Sequence, residues 1–371
     1  MGRALAGRGW RVTAGAFRGR RALVTGHTGF KGSWLALWLR RLGAEVRGYA
    51  LPPPTDPSNY ALSGVGALLA GETTADIRDR ARMAGAVASF RPDVVFHLAA
   101  QPLVRDSYAA PCETFDVNVM GTASVLEAVR AAGRPCAVVC VTTDKCYENR
   151  EQVWGYRECD PMGGHDPYSA SKGAAEILIA SYRRSFFHPG RLAEHGVQVA
   201  SARAGNVVGG GDWARDRIVP DMVAALAAGR PAALRNPRAV RPWQHVLEPL
   251  SGYLALAAAM LERPGAAWCS AWNFGPRPGE ETTVGRLADA FAEAWGSGSW
   301  RDESGPGQPH EAAVLRLCVD KAAAGLGWRP RWTCEETVGR TARWYRRVLL
   351  EGADARAACE DDIVAYGDLL Q

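Results

Sequence analysis

Between Arg20 and Ala50 the chain runs from a strand-like RALVT through GHTGFKG into SWLALWLRRLG and out again through AEVRGYA. In the third piece Trp34, Leu35, Trp38, Leu39 and Leu42 fall at i, i+1, i+4, i+5 and i+8, one apolar stripe of a helix lying on a sheet. Strand, glycine turn, helix, strand is a βαβ unit, and connection rules leave such a unit few folds to belong to. Gly26, Gly29 and Gly32, with Thr28 and Phe30 between them, stand at the junction of strand and helix. Glycine there lets the backbone approach a pyrophosphate, whose charge the free N–H groups of the helix end favour. A helix start with incidental glycines is the bland alternative, and the βαβ context favours dinucleotide binding over it. The acidic residue expected about 20 residues on, for a ribose hydroxyl, is missing. The second strand ends instead in Arg47, Gly48, Tyr49 and Ala50. Arg47 suits a 2′-phosphate, so this segment leaves NAD and NADP both open.

Apolar runs at 93–98, 137–141 and 197–202 alternate with helical segments at 113–132 and 167–187. That alternation predicts the α/β class, a Rossmann-type doubly wound parallel sheet covered on both faces. Beyond Gly205 it breaks down into loops rich in Gly, Pro, Arg and Trp, with helix-like stretches at 217–229, 247–262, 282–297 and 335–350. The expected organisation is a disordered tail over 1–18, a cofactor-binding domain over 19–205 and a smaller C-terminal substrate-binding lobe over 206–371, some of which returns to the first domain. A formal net charge of +5 without any run of five Lys or Arg argues against nucleic acid as a partner. Nine cysteines lie scattered, with no C-x-x-C pair and no histidine at metal spacing, which argues against a zinc site. Their odd number, with no secretory segment and no apolar run near 18 residues, points to the cytoplasm and away from a membrane.

Tyr168 and Lys172 in D-P-Y-S-A-S-K stand four apart in a predicted helix, so both side chains leave on one face. A neighbouring cation favours phenolate and so lowers a tyrosine pKa, which makes Tyr168 a candidate base for a sugar hydroxyl. An exposed amphipathic pair is the alternative, and it would win without the glycine turn upstream. Thr142, Thr143, Asp144 and Lys145 follow an apolar strand directly. Side chains at the carboxyl end of a parallel strand face the ligand crevice, which favours chemistry over a merely polar strand exit.

The glycine turn, His97-Leu98-Ala99-Ala100, the Thr-Thr-Asp segment and the Tyr168/Lys172 pair occur in one order, and together they resemble the extended short-chain dehydrogenase/reductase family. Longer segments are similar to its CDP-glucose 4,6-dehydratase branch: TGHTGFKGSWL, YALPPPTDPS, TTDKCYENREQVWGYRECDPMGGHDPYSASK, SARAGNVVGGGDWA and RPWQHVLEPLSGY. The resemblance implies tightly held NAD and three steps on CDP-glucose: oxidation at C4, loss of water across C5 and C6, and return of the hydride to C6. It makes Tyr168 the oxidation base, Lys172 its partner and ribose ligand, Thr143 a donor to O4 and Asp144 the acid for the departing C6 hydroxyl. The glutamate that takes the C5 proton in related dTDP-glucose dehydratases is Lys145 here, either a base or a stabiliser of the enolate. Cofactor contacts are implied for Gly26, Thr28, Gly29, Phe30, Gly32, Asp76, Ile77, Leu98, Ala99, Ala100 and Thr142 as well as the Tyr-Lys pair. Asn118 corresponds to a residue that supports the active-site helix. Substrate contacts are implied for Asn206, Arg217 and Arg241, which suit a diphosphate, and for His310; Trp213 and Trp243 are pocket candidates whose more ordinary role is packing. No metal is expected. The helices at 113–132 and 167–187 resemble the family's dimer interface, so a homodimer or homotetramer is expected, with burial inside the monomer as the alternative.

Three competing functions remain at this level, the first being the same dehydration of another nucleotide-sugar. A nucleotide-sugar 4-epimerase oxidises and re-reduces C4 without needing Asp144, and a silent NAD-binding sensor keeps the fold without the reaction.

Overall fold

The computed structural model describes residues 15–277, 279–305 and 314–368. Seven strands form one parallel sheet: β1 (Arg21–Thr25), β2 (Glu45–Ala50), β3 (Gly71–Thr74), β4 (Val94–His97), β5 (Cys136–Val141), β6 (Val197–Ala204) and β7 (Ala271–Phe274). Their spatial order is β7-β6-β5-β4-β1-β2-β3, with every pairing parallel. The order reverses between β1 and β4, and in an open α/β sheet a ligand crevice forms outside the strand ends at such a point. Strand β5, CAVVCV, is buried at every position, as expected of a strand covered on both faces.

One face of the sheet carries α1 (Phe30–Arg41), with Trp34, Leu35 and Leu39 fully buried. Burying each such side chain contributes about 1.5–3 kcal/mol. The other face carries α2 (Arg80–Phe90), α3 (Gly121–Ala132) and α4 (Pro167–Ser185), whose Val87, Leu126 and Ile179 enter a second core. The chain enters α3 through a short helix at Pro111–Phe115 and a π turn at Asp116–Met120.

Downstream lie α5 (Ile218–Ala227), α6 (Leu247–Glu262), α7 (Val284–Trp295), α8 (Cys334–Leu349) and α9 (Ala355–Asp368). Helix α6 belongs to the sheet rather than to a lobe: Leu250, Tyr253, Leu254 and Leu256 share the core of α1. Strand β7, paired with β6, likewise comes from beyond residue 205. Buried Glu248 of α6 ties these parts together by accepting from the backbone of Arg331 and Trp332 and from the Tyr366 hydroxyl of α9.

The expected tail over residues 1–18 reaches too far, because Phe17 is fully buried and lies 6.4 Å, centroid to centroid, from the Phe96 ring. Among the described residues no helix is long and apolar enough to cross a membrane, and no cluster of His, Cys, Asp and Glu suits a metal ion.

Candidate active site

The glycine turn owes its shape to contacts that leave no room for a side chain. Gly26 has a φ of +73°, and a Cβ there would stand 2.7 Å from the Ala99 nitrogen; on Gly32 a Cβ would stand 2.1 Å from the Gly26 carbonyl oxygen. Gly29 is the N-cap of α1 and supplies no capping side chain. The N–H groups of the first turn therefore point, uncapped, into the crevice, where an anion would satisfy them. Thr28 fixes the turn by donating to the Leu51 carbonyl at 2.9 Å. Replacing Gly32 by alanine is expected to weaken dinucleotide binding at least tenfold, about 1.4 kcal/mol. Titration of protein fluorescence with NAD checks this, and unchanged affinity would contradict it.

A cavity of about 1020 Å³ opens over this turn. That is at or above the upper end of ordinary small-ligand sites, room for a dinucleotide and a second ligand together. At one end lie Ala50, Leu51, Asp76 and Ile77. The Asp76 carboxylate is clamped by Arg78, which donates from its backbone at 2.8 Å and its guanidinium at 2.7 Å. Arg47, considered for a 2′-phosphate, does not line the cavity; its guanidinium stacks 4.8 Å from the Phe90 ring centroid and donates to Ser89. Outside the lining, beside the glycine turn, lies a group the sequence did not announce. His27, buried and crowded against Gly48, bonds Glu72 at 3.0 Å, and Glu72 also accepts from Tyr60 at 2.7 Å.

Leu98, Ala99 and Ala100, at the end of β4, form the middle of the wall with Thr142. Thr142 donates to Glu176 at 2.5 Å, and Ser201 and Arg203 hold the same carboxylate, each at 2.8 Å. Arg203 also donates to the Tyr147 hydroxyl at 2.7 Å. Burial alone pushes the Glu176 carboxyl up, but Arg203 and the two hydroxyls outweigh it and hold it below the usual range. Sequence reading missed this pair because only the fold brings α4 and β6 together at these positions.

At the carboxyl end of β5, Thr143 donates to Asp144 at 3.0 Å and caps the short turn that follows by accepting from the Lys145 backbone. Asp144 is fully buried, and its Oδ2 has no hydrogen-bond partner among the described residues. Lys145 donates to Asp144 Oδ1 at 3.2 Å and to Asn206 Oδ1 at 3.0 Å. Asn206 thus holds a lysine in this structure, beside its expected place on a diphosphate.

Helix α4 starts with Asp166 as N-cap and Pro167 in its first turn, which sets Tyr168 at the cavity. The Tyr168 backbone donates to Ser107 at 3.1 Å. From the π turn, Asn118 donates to Ser171 at 2.8 Å and binds both backbone groups of Gln101, tying α4 to the loop after β4.

The electrostatics of Tyr168 depart from expectation. Burial pushes the phenol up to about 12, while a hydrogen bond with Thr143 and the charge of Arg217 pull it down. Burial lowers the ammonium of Lys172 to about 8, and it donates to the Val141 carbonyl at 3.5 Å. Arg217, paired with Asp212 at 2.9 Å, adds a cation near the phenol that the sequence did not announce.

Arg241, Trp213 and Trp243 line the same cavity, Trp213 edge-on to Tyr345. At the mouth, Asp216 bonds Arg105 at 3.7 Å and also pairs with Arg235, joining the first domain to the lobe. The candidate His310 lies outside the described residues.

The family described as GDP-mannose 4,6 dehydratase matches residues 23–265. A CDP-glucose 4,6-dehydratase of Salmonella typhimurium is 49% identical over 94% of this chain and 97% of its own length. Among solved structures, a UDP-glucose 4-epimerase of Thermus thermophilus with NAD is 27% identical, has a TM-score of 0.73 and covers 89% of this chain and 100% of its own. A dTDP-glucose 4,6-dehydratase of Streptomyces venezuelae, solved with NAD bound, has a TM-score of 0.74 at 24% identity, with 91% and 99% covered.

Proposed function

The chain belongs to the GDP-mannose 4,6-dehydratase family, and from that premise we propose that it converts CDP-glucose to CDP-4-keto-6-deoxyglucose with NAD as cofactor. It is a nucleotide-sugar 4,6-dehydratase acting in deoxysugar biosynthesis. The uncapped helix end and the side-chain-free surfaces of Gly26 and Gly32 fit a dinucleotide pyrophosphate. Bound there, NAD supplies a two-electron acceptor that later gives back what it took.

Tyr168 is assigned the C4 hydroxyl proton, with the Thr143 hydroxyl, turned from Asp144, donating to the same oxygen. The resulting ketone makes the C5 proton acidic, because a carbanion beside a carbonyl is delocalised onto oxygen. Asp144, in its protonated form, is assigned to the C6 hydroxyl, which departs as water. Arg217 and Arg241 offer donors in a planar fork for the diphosphate.

The observation that carries dehydration over epimerisation is the unpartnered, buried Oδ2 of Asp144 beside Thr143. Beyond accepting from Thr143 and Lys145, an acid in that place serves a departing oxygen, which epimerisation does not have. Incubation with CDP-, dTDP-, UDP- and GDP-sugars, followed by mass spectrometry, tests the assignment. CDP-glucose is expected to give a product lighter by one water, whereas an epimerase leaves mass unchanged. Failure to dehydrate any of them, or faster dehydration of another nucleotide-sugar, would sink it.

A homodimer in the cytoplasm completes the proposal. Exposed Phe115 and Met120, on the helical segment at 111–132, Ile177 within α4 and Phe186 just past it support an interface there. Nine free thiols fit a reducing compartment.

A further inference from the structure

Only four of the 44 basic residues are lysine: Lys31, Lys145, Lys172 and Lys321. Three of the four line the one cavity that holds Tyr168. Arginine keeps its proton at any working pH, whereas a lysine amine can give its proton up. A chain that uses arginine almost everywhere else therefore keeps, around its reaction centre, the one of its two strongly cationic side chains that can give up and retake a proton.

The three lysines are held differently. Lys172 sits under Val141 in the helix of Tyr168. Lys145 donates to both Asp144 and Asn206. Lys31, the second residue of α1, is half-buried at the cavity and makes no hydrogen bond or ion pair among the described residues. Its charged neighbours are Arg217, Lys172 and Lys145, opposed by Asp144 alone. The positive end of α1 adds to the repulsion. Burial is the largest influence, and together these hold the Lys31 amine down to about 7, so near neutral pH a large share of it carries a free lone pair.

We propose that Lys31 is the base that takes the C5 proton, with Lys145 holding Asp144 and Asn206 in place. The proposal rests on the dehydratase assignment. The C5–H pair moves into the enolate of the C4 ketone while the proton goes to Lys31 Nζ, forming an ammonium. The enolate then re-forms the ketone as a C5–C6 double bond appears and the C6–O bond breaks, the hydroxide taking a proton from Asp144 to leave as water. Bound NAD would supply the hydride for C6, and the Lys31 ammonium gives its proton back to C5.

The test compares unaltered enzyme with Lys31→Met and Lys31→Arg on CDP-glucose. Both variants are expected to lose about 10²–10⁴-fold in kcat, the usual contribution of a positioned base. Both should also accumulate the absorbance of reduced nicotinamide, because C4 oxidation proceeds and elimination stalls, and both should lose solvent deuterium uptake at C5. Lys31→Met should bind NAD within about threefold of normal, under 1 kcal/mol. A second readout needs no turnover. In ligand-free protein, trace acetylation followed by mass spectrometry should show Lys31 becoming reactive near neutrality, well before Lys321. Rescue by Lys31→Arg would make charge alone sufficient and overturn the proposal. So would a large loss of NAD affinity or absence of cofactor reduction in Lys31→Met, which would place Lys31 on the cofactor, and so would ordinary acetylation behaviour. If the unaltered enzyme dehydrates no nucleotide-sugar, the assignment itself fails; if only the variants turn over normally, the base alone is wrong.

Discussion

Replacing Tyr168 by phenylalanine is expected to lower turnover of CDP-glucose by about 10²–10⁴-fold while thermal stability and NAD affinity stay near those of the unaltered protein. The phenol's hydrogen-bond partner Thr143 keeps Asp144 and the Lys145 backbone as partners when the oxygen is lost, and the glycine turn that carries the cofactor is untouched. The phenol's proton is held by burial, which pushes it up to about 12, so the first step must draw on the opposing pull of Thr143 and Arg217. The rate of that step should therefore rise with pH across the neutral range, and the residual rate of the phenylalanine variant should not. Single-turnover reduction of the cofactor reads both. Undiminished turnover in the variant would return the protein to the class of silent cofactor binders.

The second large effect is on stability. Arg203→Met removes the cation facing Glu176, and both partners are almost wholly buried, at 5% and 2% side-chain exposure. Leaving one charge of such a pair unmatched costs about 3–5 kcal/mol, so urea denaturation should show a loss of that order. Changing Glu176 to leucine in the same chain should recover part of it, because no charge then stays stranded. The pH dependence has a definite sign. In the unaltered protein the Glu176 carboxyl is held below its usual value, so its contribution is present above the unfolded pKa and fades as pH falls through the folded one. In Arg203→Met, burial loses its main opponent, with only the Thr142 and Ser201 hydroxyls left against it, and that carboxyl rises, so the variant's deficit should shrink as pH is lowered toward 5 from about 7. A deficit that stays level over that interval would rule out the stranded carboxylate as its cause.

Legibility in the sequence followed locality. The βαβ start, strand β5 and α4 depend on patterns within a few residues, and they stand where periodicity and the glycines put them. The helices expected at 247–262 and 335–350 appear at 247–262 and 334–349. Strand β3, GETT, has no apolar run because it is a half-exposed edge strand, so no pattern marked it. Helix α9 announces itself weakly for a related reason, since buried Ala358, Cys359, Ile363 and Tyr366 share the helix with five charged residues. At the site, the placing of Tyr168 and Thr143 at the cavity was legible from one short motif each, whereas Asp144 lies fully buried beside Thr143 and outside the lining. Glu176 with Arg203, and Lys31 with the cations around it, were not legible, because charge and burial at a point are sums over distant segments. What the spacing of Tyr168 and Lys172 announces is a shared helix face at the cavity; the bond of Lys172 to the Val141 carbonyl and the pull of Arg217 on Tyr168 come from distant segments.

Strand β7 and helix α6 complete the parallel sheet from a part of the chain that follows the first elements of the lobe. A fragment ending at residue 205 would expose one edge of β6 and uncover the core of α1. Neither portion is thus a module to be cut out or exchanged, and altering which nucleotide is accepted means rebuilding individual loops around a fixed frame.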